Sequence, residues 1–523
     1  MAARPATGKK SSQSKAAKAL EYDAIKTTGR RRRPSTTLSA EHVVLPDSKR
    51  RSLMATVQDQ IRNASVCAWM IRRHLDYVSK FKFLFRHENE ALQKLVNRLF
   101  DWHAQPKNFD IAERFGREES FRMFEMEKVS AGDAGFIKLT DLLKLQSIEA
   151  DLIAKPTIGK WNGTSSEPIP EYVKKNVLEN CGVIMDSKRP GRIAQFCICN
   201  RGKDGAQVAF DHLEPAENVI FDGYFTRFSS QVRGVSPLTT AINLIQDAYE
   251  GVDFNLAKAK VHAIFGLAIM RDFTGFTDQE EVAGWGGASG VKTGATENEK
   301  TAETSTDGTK SITASLQEIK PNEMMLVDMD TKGRLDTIES RTPSAEFREF
   351  TAIVIRLALL ALDIPYSAYD SKAASFSGMI ADNNLYEVSC AWKREKNLWS
   401  RIEYSNWLLA SAWEHPDWKL KEVATKAGVS LSELQQSVEW IAAGFPWLHK
   451  LQEVQGDIKA ISVGLDNPID ACKRRSGDFF QNILKIEEAI TFAKQHNVPL
   501  MIGEPGQASI AEVEAIDPKG GEE

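Results

Sequence analysis

Nine histidines are scattered through the 523 residues without an H-E-x-x-H pair, and no G-x-S-x-G elbow presents a serine. Neither a zinc hydrolase nor an activated serine is therefore spelled out. Asp204, Asp211, Glu214 and Asp222 are close enough in sequence to suggest a metal-binding nuclease cluster. They fall in a turn-rich stretch, where solvated carboxylates are far commoner. The six cysteines (Cys67, Cys181, Cys197, Cys199, Cys390 and Cys472) show no C-x-x-C spacing, which favours reduced thiols in a cytosolic setting over metal binding. The run GWGGASG from Gly284 resembles a phosphate loop only in its glycines. A Walker loop needs G-x-x-x-x-G-K-[ST], with a lysine for the phosphates and a hydroxyl for Mg²⁺, and neither this run nor Gly8-Lys9-Lys10-Ser11 has it. The expectation is a chain that is not an enzyme, with no catalytic residue, no metal and no cofactor.

The element around which the remaining chain is organised lies in Arg233 to Ala263. Gly234 supplies backbone freedom, Ser236 can cap the orphan N–H groups of a helix start, and Pro237 fits the first helical position, where no donor is needed. Leu238, Ala241, Ile242, Ile245, Ala248, Tyr249, Val252 and Leu256 then recur every three or four residues, with charges mostly between them. A long amphipathic helix is predicted.

Composition, at 42% hydrophobic and 26% charged, is that of a globular chain with several structural units. The longest apolar run, Ala352 to Leu362, is short and broken by Arg356, so neither a signal peptide nor a membrane span is expected. Net charge is −4, but residues 1–51 hold thirteen Lys or Arg against four Asp or Glu, a surplus of +9, which leaves −13 for the remainder. The basic segment, read as a disordered arm over residues 1–52, is either a nucleic-acid contact or a solvated arm. An acidic body argues against tight, phosphate-hugging DNA binding.

Periodicity predicts helices at Leu53 to Lys80, Glu90 to Trp102 and about Asn108 to Glu127. Strand-like runs follow at Gly135 to Lys138, Leu145 to Ile153, Gly182 to Met185, Ile193 to Cys199 and Asn218 to Phe221, which makes an α+β unit. Beyond the central helix, Ala263 to Arg271 reads as a strand. Between Gly284 and Ser315, 21 of 32 residues are Gly, Ala, Ser or Thr, the composition of a flexible insertion. Strands are expected at Glu318 to Val327 and Leu335 to Ser340, and a helix from Pro343 to Leu362, capped by Thr342 and stopped by Ile364-Pro365. A loop, Asp363 to Gly378, leads into a long helix through about Trp413.

The run FSSQVRGVSPLTTAINLIQDAYEGVDFNLAKAKVHA resembles the most recognisable segment of the lambda-type portal proteins of tailed bacteriophages. The resemblance continues in order. LMATVQDQIRNASVCAWMIRRHL, LQSIEADLIAKP, GVIMDSKRPGRIAQF and EPAENVIFDGY precede it; DIPYSAYDSKAASFSG, FPWLHKLQEVQGDIKAISVGL and SGDFFQNILKIEEAITFAKQHNV follow, so that about residues 53 to 498 are covered. Two places depart from the family pattern: SFSGMIADNN replaces a Ser-Ser-x-Arg phrase, and Leu448-His449 stand where Asp-Pro is common.

The resemblance implies a helix-rich α+β portal fold: an α/β wing (53–235), a stem of two helices (236–262 and 343–362), a small β-containing clip (263–342) holding the insertion (284–315), a channel loop (363–378), a long helix (379–419), a helical crown (420–503) and an acidic tail (504–523). Arg233, Gly234, Ser236, Pro237, Pro365, Tyr366 and Trp447 are the family-motif positions, with structural roles. The implied function is a dodecameric ring at one capsid vertex of a virion, assembled in a bacterial host's cytoplasm. It would be the channel for packaging and ejecting double-stranded DNA and the docking site for the terminase large subunit, capsid or scaffold protein, and head–tail connector proteins. In the channel loop, Asp363 and Asp370 against the single cation Lys372 suit a surface that brushes DNA without gripping it, with Lys372 the contact; an ordinary surface loop is the other reading. A nucleic-acid-processing enzyme or DNA-binding accessory factor is the alternative function.

Overall fold

The computed structural model describes residues 40–158, 169–189, 191–202, 207–228, 231–264, 268–271, 327–330, 335–336, 345–447, 449–496 and 498. They fall into two compact units, residues 1–240 with 359–523, and residues 241–358. The expected insertion at 284–315, the cap Thr342-Pro343, Asp204 and the acidic tail lie outside the described residues, as does the arm up to residue 39.

The first unit opens with α1 (Glu41–Val44), α2 (Asp47–Asn63) and α3 (Ser65–Val78). The arm expected over 1–52 is therefore corrected from Glu41 onward, because Arg50 is buried by tertiary contacts that composition cannot reveal. The single helix expected at 53–80 is two. Ala64 is extended (φ −105°, ψ 108°) and bends the chain, yet Val57, Cys67, Ile71 and Leu75 stay buried on both sides of the bend, so the apolar period runs through it unbroken. After β1 (Phe81–Phe85) comes α4 (Glu90–His103), whose cap Asn89 accepts from the Leu92 N–H at 3.1 Å. The helix expected at 108–127 also divides, into α5 (Pro106–Phe109) and α6 (Arg117–Ala131), separated by a turn with Glu113 at φ 57°.

Two antiparallel sheets follow. One has the order β3-β2-β7, from β2 (Asp133–Leu139), β3 (Lys144–Ile148) and β7 (Val219–Gly223). The other has the order β4-β5-β6, from β4 (Val183–Met185), β5 (Ile193–Arg201) and β6 (Val208–Pro215), with α7 (Glu171–Glu179) before it.

The same unit contains α10 (Phe376–Glu414), α11 (Leu420–Lys426), α12 (Leu431–Gln436), β11 (Val438–Ala442), α13 (Lys450–Ser462), α14 (Pro468–Arg474) and α15 (Phe479–Gln495). The wholly helical reading of 420–503 is corrected at β11, which pairs antiparallel with β1 (Phe81 opposite Ala442). Strand pairing between segments so far apart in sequence leaves no local signature. α10 drives Tyr404, Trp407, Leu408 and Leu409 into a core with Phe85, Phe100, Phe109, Phe121, Phe124, Phe136 and Trp440. Phe124 stacks on Phe136 at 4.7 Å, and Tyr404 meets Phe121 edge-on at 5.6 Å. Each such ring contributes ~1.5–3 kcal/mol by burial. Within this core Arg401 is fully buried: its guanidinium lies 4.2 Å from the Phe81 ring and 4.4 Å from the Phe121 ring and donates to the Ser79 carbonyl at 2.5 Å. Burial lowers its pKa to about 10.

The second unit holds α8 (Ile242–Ile264), α9 (Ala345–Leu359) and a three-stranded sheet of order β10-β8-β9, from β8 (Ala268–Arg271), β9 (Val327–Asp330) and β10 (Leu335–Asp336). β8 starts later than Ala263 because α8 runs to Ile264. Gly251 of α8 faces the Phe347 ring of α9, where an added Cβ would sit 3.5 Å away. The apolar face predicted for α8 is buried only in its first turns, at Ala241, Ile242 and Ile245; Val252 and Leu256 are exposed.

Candidate functional site

Arg233 lies at the middle of a buried charge network. Its Nε and Nη2 donate to Asp133 Oδ2 and Oδ1 at 2.8 and 2.7 Å, a bidentate pair. Nη2 also donates to the Ala150 carbonyl at 2.8 Å, and Nη1 to the carbonyls of Cys181, at 2.7 Å, and Ile153. One guanidinium thus ties the start of β2 to the segment after β3 and to the turn before β4. Burial alone would raise the Asp133 pKa, but Arg233 and Arg50 override it and hold the carboxylate below its usual range. Arg50 Nη1 stands 3.7 Å from Asp133 Oδ1, and Nη2 donates to the Ala150 carbonyl at 2.7 Å. Burial, then repulsion from Arg233, lowers the Arg50 pKa to about 10.

The glycine beside Arg233 is set by close approach. A Cβ on Gly234 would lie 2.0 Å from the Gly132 carbonyl oxygen, and Gly132 itself holds φ 106°. The Gly234 N–H donates to Asp133 Oδ2 at 2.8 Å, so the same carboxylate fixes side chain and backbone. Ser236 Oγ accepts from the Leu238 N–H at 3.2 Å, as a cap should, and donates to the Val129 carbonyl at 2.6 Å. Pro237 opens a 3-10 turn, Pro237–Thr240, and the α-helix proper starts at Ile242, so the predicted helix start is tighter than expected. Gln231, which sequence reasoning passed over, accepts from the Thr226 and Arg227 N–H groups at 2.8 and 3.0 Å and donates to the Arg233 carbonyl at 3.1 Å. Its place two residues before Arg233 was the available signal.

A second network joins α3, α6, β7 and α10. Glu125 Oε1 accepts from His74 Nε2 at 2.7 Å and from the Tyr224 hydroxyl at 2.6 Å, and Lys128 Nζ lies 2.8 Å from Glu125 Oε2. Lys128 Nζ also donates to Asp222 Oδ2 at 2.6 Å and Asn397 Oδ1 at 2.8 Å. Burial would raise the Glu125 pKa, yet Lys128 and His74 hold it far below the carboxylate range. Burial lowers that of His74, which stays neutral. Beside α6, Phe109, Phe124, Phe136 and Leu145 line a cavity of about 290 Å³ together with Glu127. Burial, against one hydrogen bond from the Ala150 N–H, raises the Glu127 pKa to about 7.

The remaining expected site residues are dispersed. Asp222 pairs with Lys128 as above, whereas Asp211 and Glu214 sit on β6 beside His212, at 2.7 and 3.2 Å. Among the described residues no group of three or more possible metal ligands gathers, and no helix is long and apolar enough to cross a membrane. All six cysteines are free thiols. The segment 363–378 is shorter and more ordered than a loop. It holds 3-10 turns at Tyr366–Ala368, entered from Pro365, and Ser371–Ala373, and α10 begins at Phe376 with Ser375 as its cap. Asp363 terminates the turn after α9 in the left-handed region (φ 59°) and pairs with Lys393 Nζ at 2.8 Å, so its charge is committed to α10. Asp370 accepts from the Lys372 backbone N–H at 3.0 Å, while the Lys372 side chain is exposed. The Tyr366 ring lies 5.7 Å from that of Tyr369, and the Arg475 guanidinium lies 4.0 Å over the ring of Trp447.

These networks define a structural scaffold: buried charges are matched to opposing charges or to backbone carbonyls, and they lock elements distant in sequence. The chain belongs to the lambda family of phage portal proteins, whose family model matches residues 28–381. It is a portal protein, and the general function of that family is to form the DNA channel at a capsid vertex and to dock the terminase. No curated protein matches the chain. Among solved structures, a virion of a native gene transfer agent particle is similar at 13% identity and a TM-score of 0.38, over 79% of this chain and 89% of that one. The neck of a native gene transfer agent particle computed with C12 symmetry is similar at 13% identity and a TM-score of 0.38, over 81% and 92%. Likeness at that level carries no argument, and the assignment rests on the family match.

Proposed function

We propose that copies of this chain close into a dodecameric ring at a virion's portal vertex, through which double-stranded DNA is packaged and ejected. The observation that carries the reading is the family match over residues 28–381. In this reading residues 53–235 build the wing, the helices within 236–262 and 343–362 the stem, the region between them the clip, and residues from about 420 the crown. Terminase large subunit, capsid or scaffold protein and head–tail connector proteins dock on the ring. Exposed apolar side chains on both stem helices, among them Phe254 on α8 and Ile353 on α9, support burial by further subunits. Native mass spectrometry and electron-microscope class averages test the assembly. A closed ring with a central hole is expected, and a monodisperse monomer at micromolar concentration overturns it.

DNA passes with weak contact, because each phosphate held by a cation raises the barrier to sliding. Lys372, exposed in a short segment whose Asp363 is already paired, suits a brushing contact. Lys372→Ala should leave assembly unchanged and alter DNA retention modestly, whereas several added arginines should stall translocation. Purified rings should bind duplex DNA feebly, without sequence preference, and release it as salt rises. Nanomolar, sequence-specific binding that survives high salt would return a nucleic-acid-processing or DNA-binding accessory factor to first place.

A further inference from the structure

α10 has two faces. Tyr386, Cys390, Asn397 and Arg401 are buried, while Leu385, Val388, Trp392 and Trp399 stand on the opposite side, 63–72% exposed. Their spacing, with Glu395 completing the series, alternates three and four, the pattern of a helix seam. α9 and the turn after it repeat that spacing in Phe350, Ile353, Leu357 and Leu360, 48–63% exposed. Each stripe presents on the order of 500 Å² of apolar surface, against ~300–600 Å² for the largest patch of a typical monomer. A stable contact covers about 800 Å² per partner, which one stripe with its flanks approaches.

We propose that the α10 stripe of one subunit packs against the α9 stripe of the next, a head-to-tail contact between copies of this chain. The proposal rests on the ring reading and names the surfaces that join. Matched spacing lets the two seams interdigitate at a shallow crossing angle. Charge decides which faces meet: α10 against α10 would bury two copies of Glu395 in the middle of one seam, whereas Phe350 to Leu360 of the α9 stripe is free of carboxylates and the one on the same spacing, Glu346, is exposed at the start of the helix beyond the apolar run. A contact between two different faces is heterologous, and heterologous contacts generate rings when the rotation closes.

The test uses the full chain. Trp399→Glu and Leu357→Glu should each raise the subunit concentration needed for assembly about a hundredfold, with unchanged far-ultraviolet circular dichroism. Mixed in equal amounts, the two variants should form a dimer and nothing larger, since each retains one intact face and the other contact carries both charges. Should a charge unfold the chain, Val388→Cys and Ile353→Cys in a Cys472→Ser background replace these variants. A short bismaleimide should then join position 388 to position 353 in a mixed ring, and not 388 to 388. Normal rings from both glutamate variants, rings from Leu357→Glu alone, or a 388-to-388 adduct overturn the proposal. So does protection of the α10 stripe by residues 272–326 of the same chain. A wild-type chain that never forms rings overturns the ring reading itself.

Discussion

The network at Arg233 places two guanidinium groups against one carboxylate, and the two cations should respond very differently to mutation. Asp133→Asn keeps the shape of the side chain but removes the one carboxylate that pairs with both Arg233 and Arg50, leaving them only the weaker attraction of Asp47; all three groups of the network are at most 5% exposed. Removing one partner of a buried pair costs about 3–5 kcal/mol, most of it the uncompensated charge. Arg50→Met, in contrast, leaves Asp133 and Arg233 as a matched bidentate pair. Arg50 Nε and Nη1 have no hydrogen-bond partner, and its one carbonyl contact, Ala150, keeps the hydrogen bond from Arg233. The loss should stay below ~1 kcal/mol, with the apolar stem of the side chain replaced. Urea unfolding followed by tryptophan fluorescence, at one fixed subunit concentration, separates the two. At an m-value of ~2–3 kcal/mol/M, Asp133→Asn should lower the midpoint by roughly 1–2 M, and Arg50→Met by less than about 0.5 M. The double variant should be less destabilised than Asp133→Asn alone, because it removes one of the stranded cations. An Arg50→Met chain as unstable as Asp133→Asn would refute the view that Arg50 is the surplus charge.

Glu127→Gln keeps the acceptor for the Ala150 N–H, and because burial raises this carboxyl's pKa to about 7, wild-type stability falls as pH rises from the unfolded value towards 7. The variant should gain on the order of 1–3 kcal/mol at pH ~8 and nothing at pH ~4, measured by parallel melts; equal effects at both pH values would exclude ionisation as the cause. His103 is held neutral by burial, its pKa lowered to about 3, between the Leu143 carbonyl and the Tyr404 hydroxyl. Its contribution is present above the unfolded pKa near ~6.5 and lost as pH falls towards the folded value, so His103→Gln should flatten the acid-side stability slope by up to ~1.4 kcal/mol per pH unit. An unchanged slope would show that His103 does not titrate on unfolding. Gly234→Ala, whose Cβ would meet the Gly132 oxygen at 2.0 Å, should abolish soluble protein, whereas Gly456→Ala in mid-α13, with nothing within 4 Å, should gain about 0.5–1 kcal/mol in thermal melts.

The sequence by itself determined the elements whose causes are local. The start at Ser236-Pro237, the helices α4 and α9, the stop at Ile364-Pro365 and the strands β2, β4, β5 and β7 follow from caps, periods and turn residues within a few positions of each other. The order of the family phrases, and hence the portal assignment, was likewise present in the chain before any folding. Only the tertiary structure decided the rest, because its causes lie across long sequence distances. β1 and β11 make a sheet only with each other, and neither FKFLF nor VEWIA alternates strictly, since their burial is set by α4, α10 and the rings between them. Arg50 belongs to a helix and not to an arm because Ala150 and Asp133 wait for it a hundred or fewer residues on. Asp363, still partly exposed, pairs with Lys393 on α10, a partner thirty residues on that no local pattern announces. The role of Arg233 shows the division in a single residue: its presence was legible in the phrase, but its five hydrogen bonds run to four residues on three separate segments that only folding brings within reach.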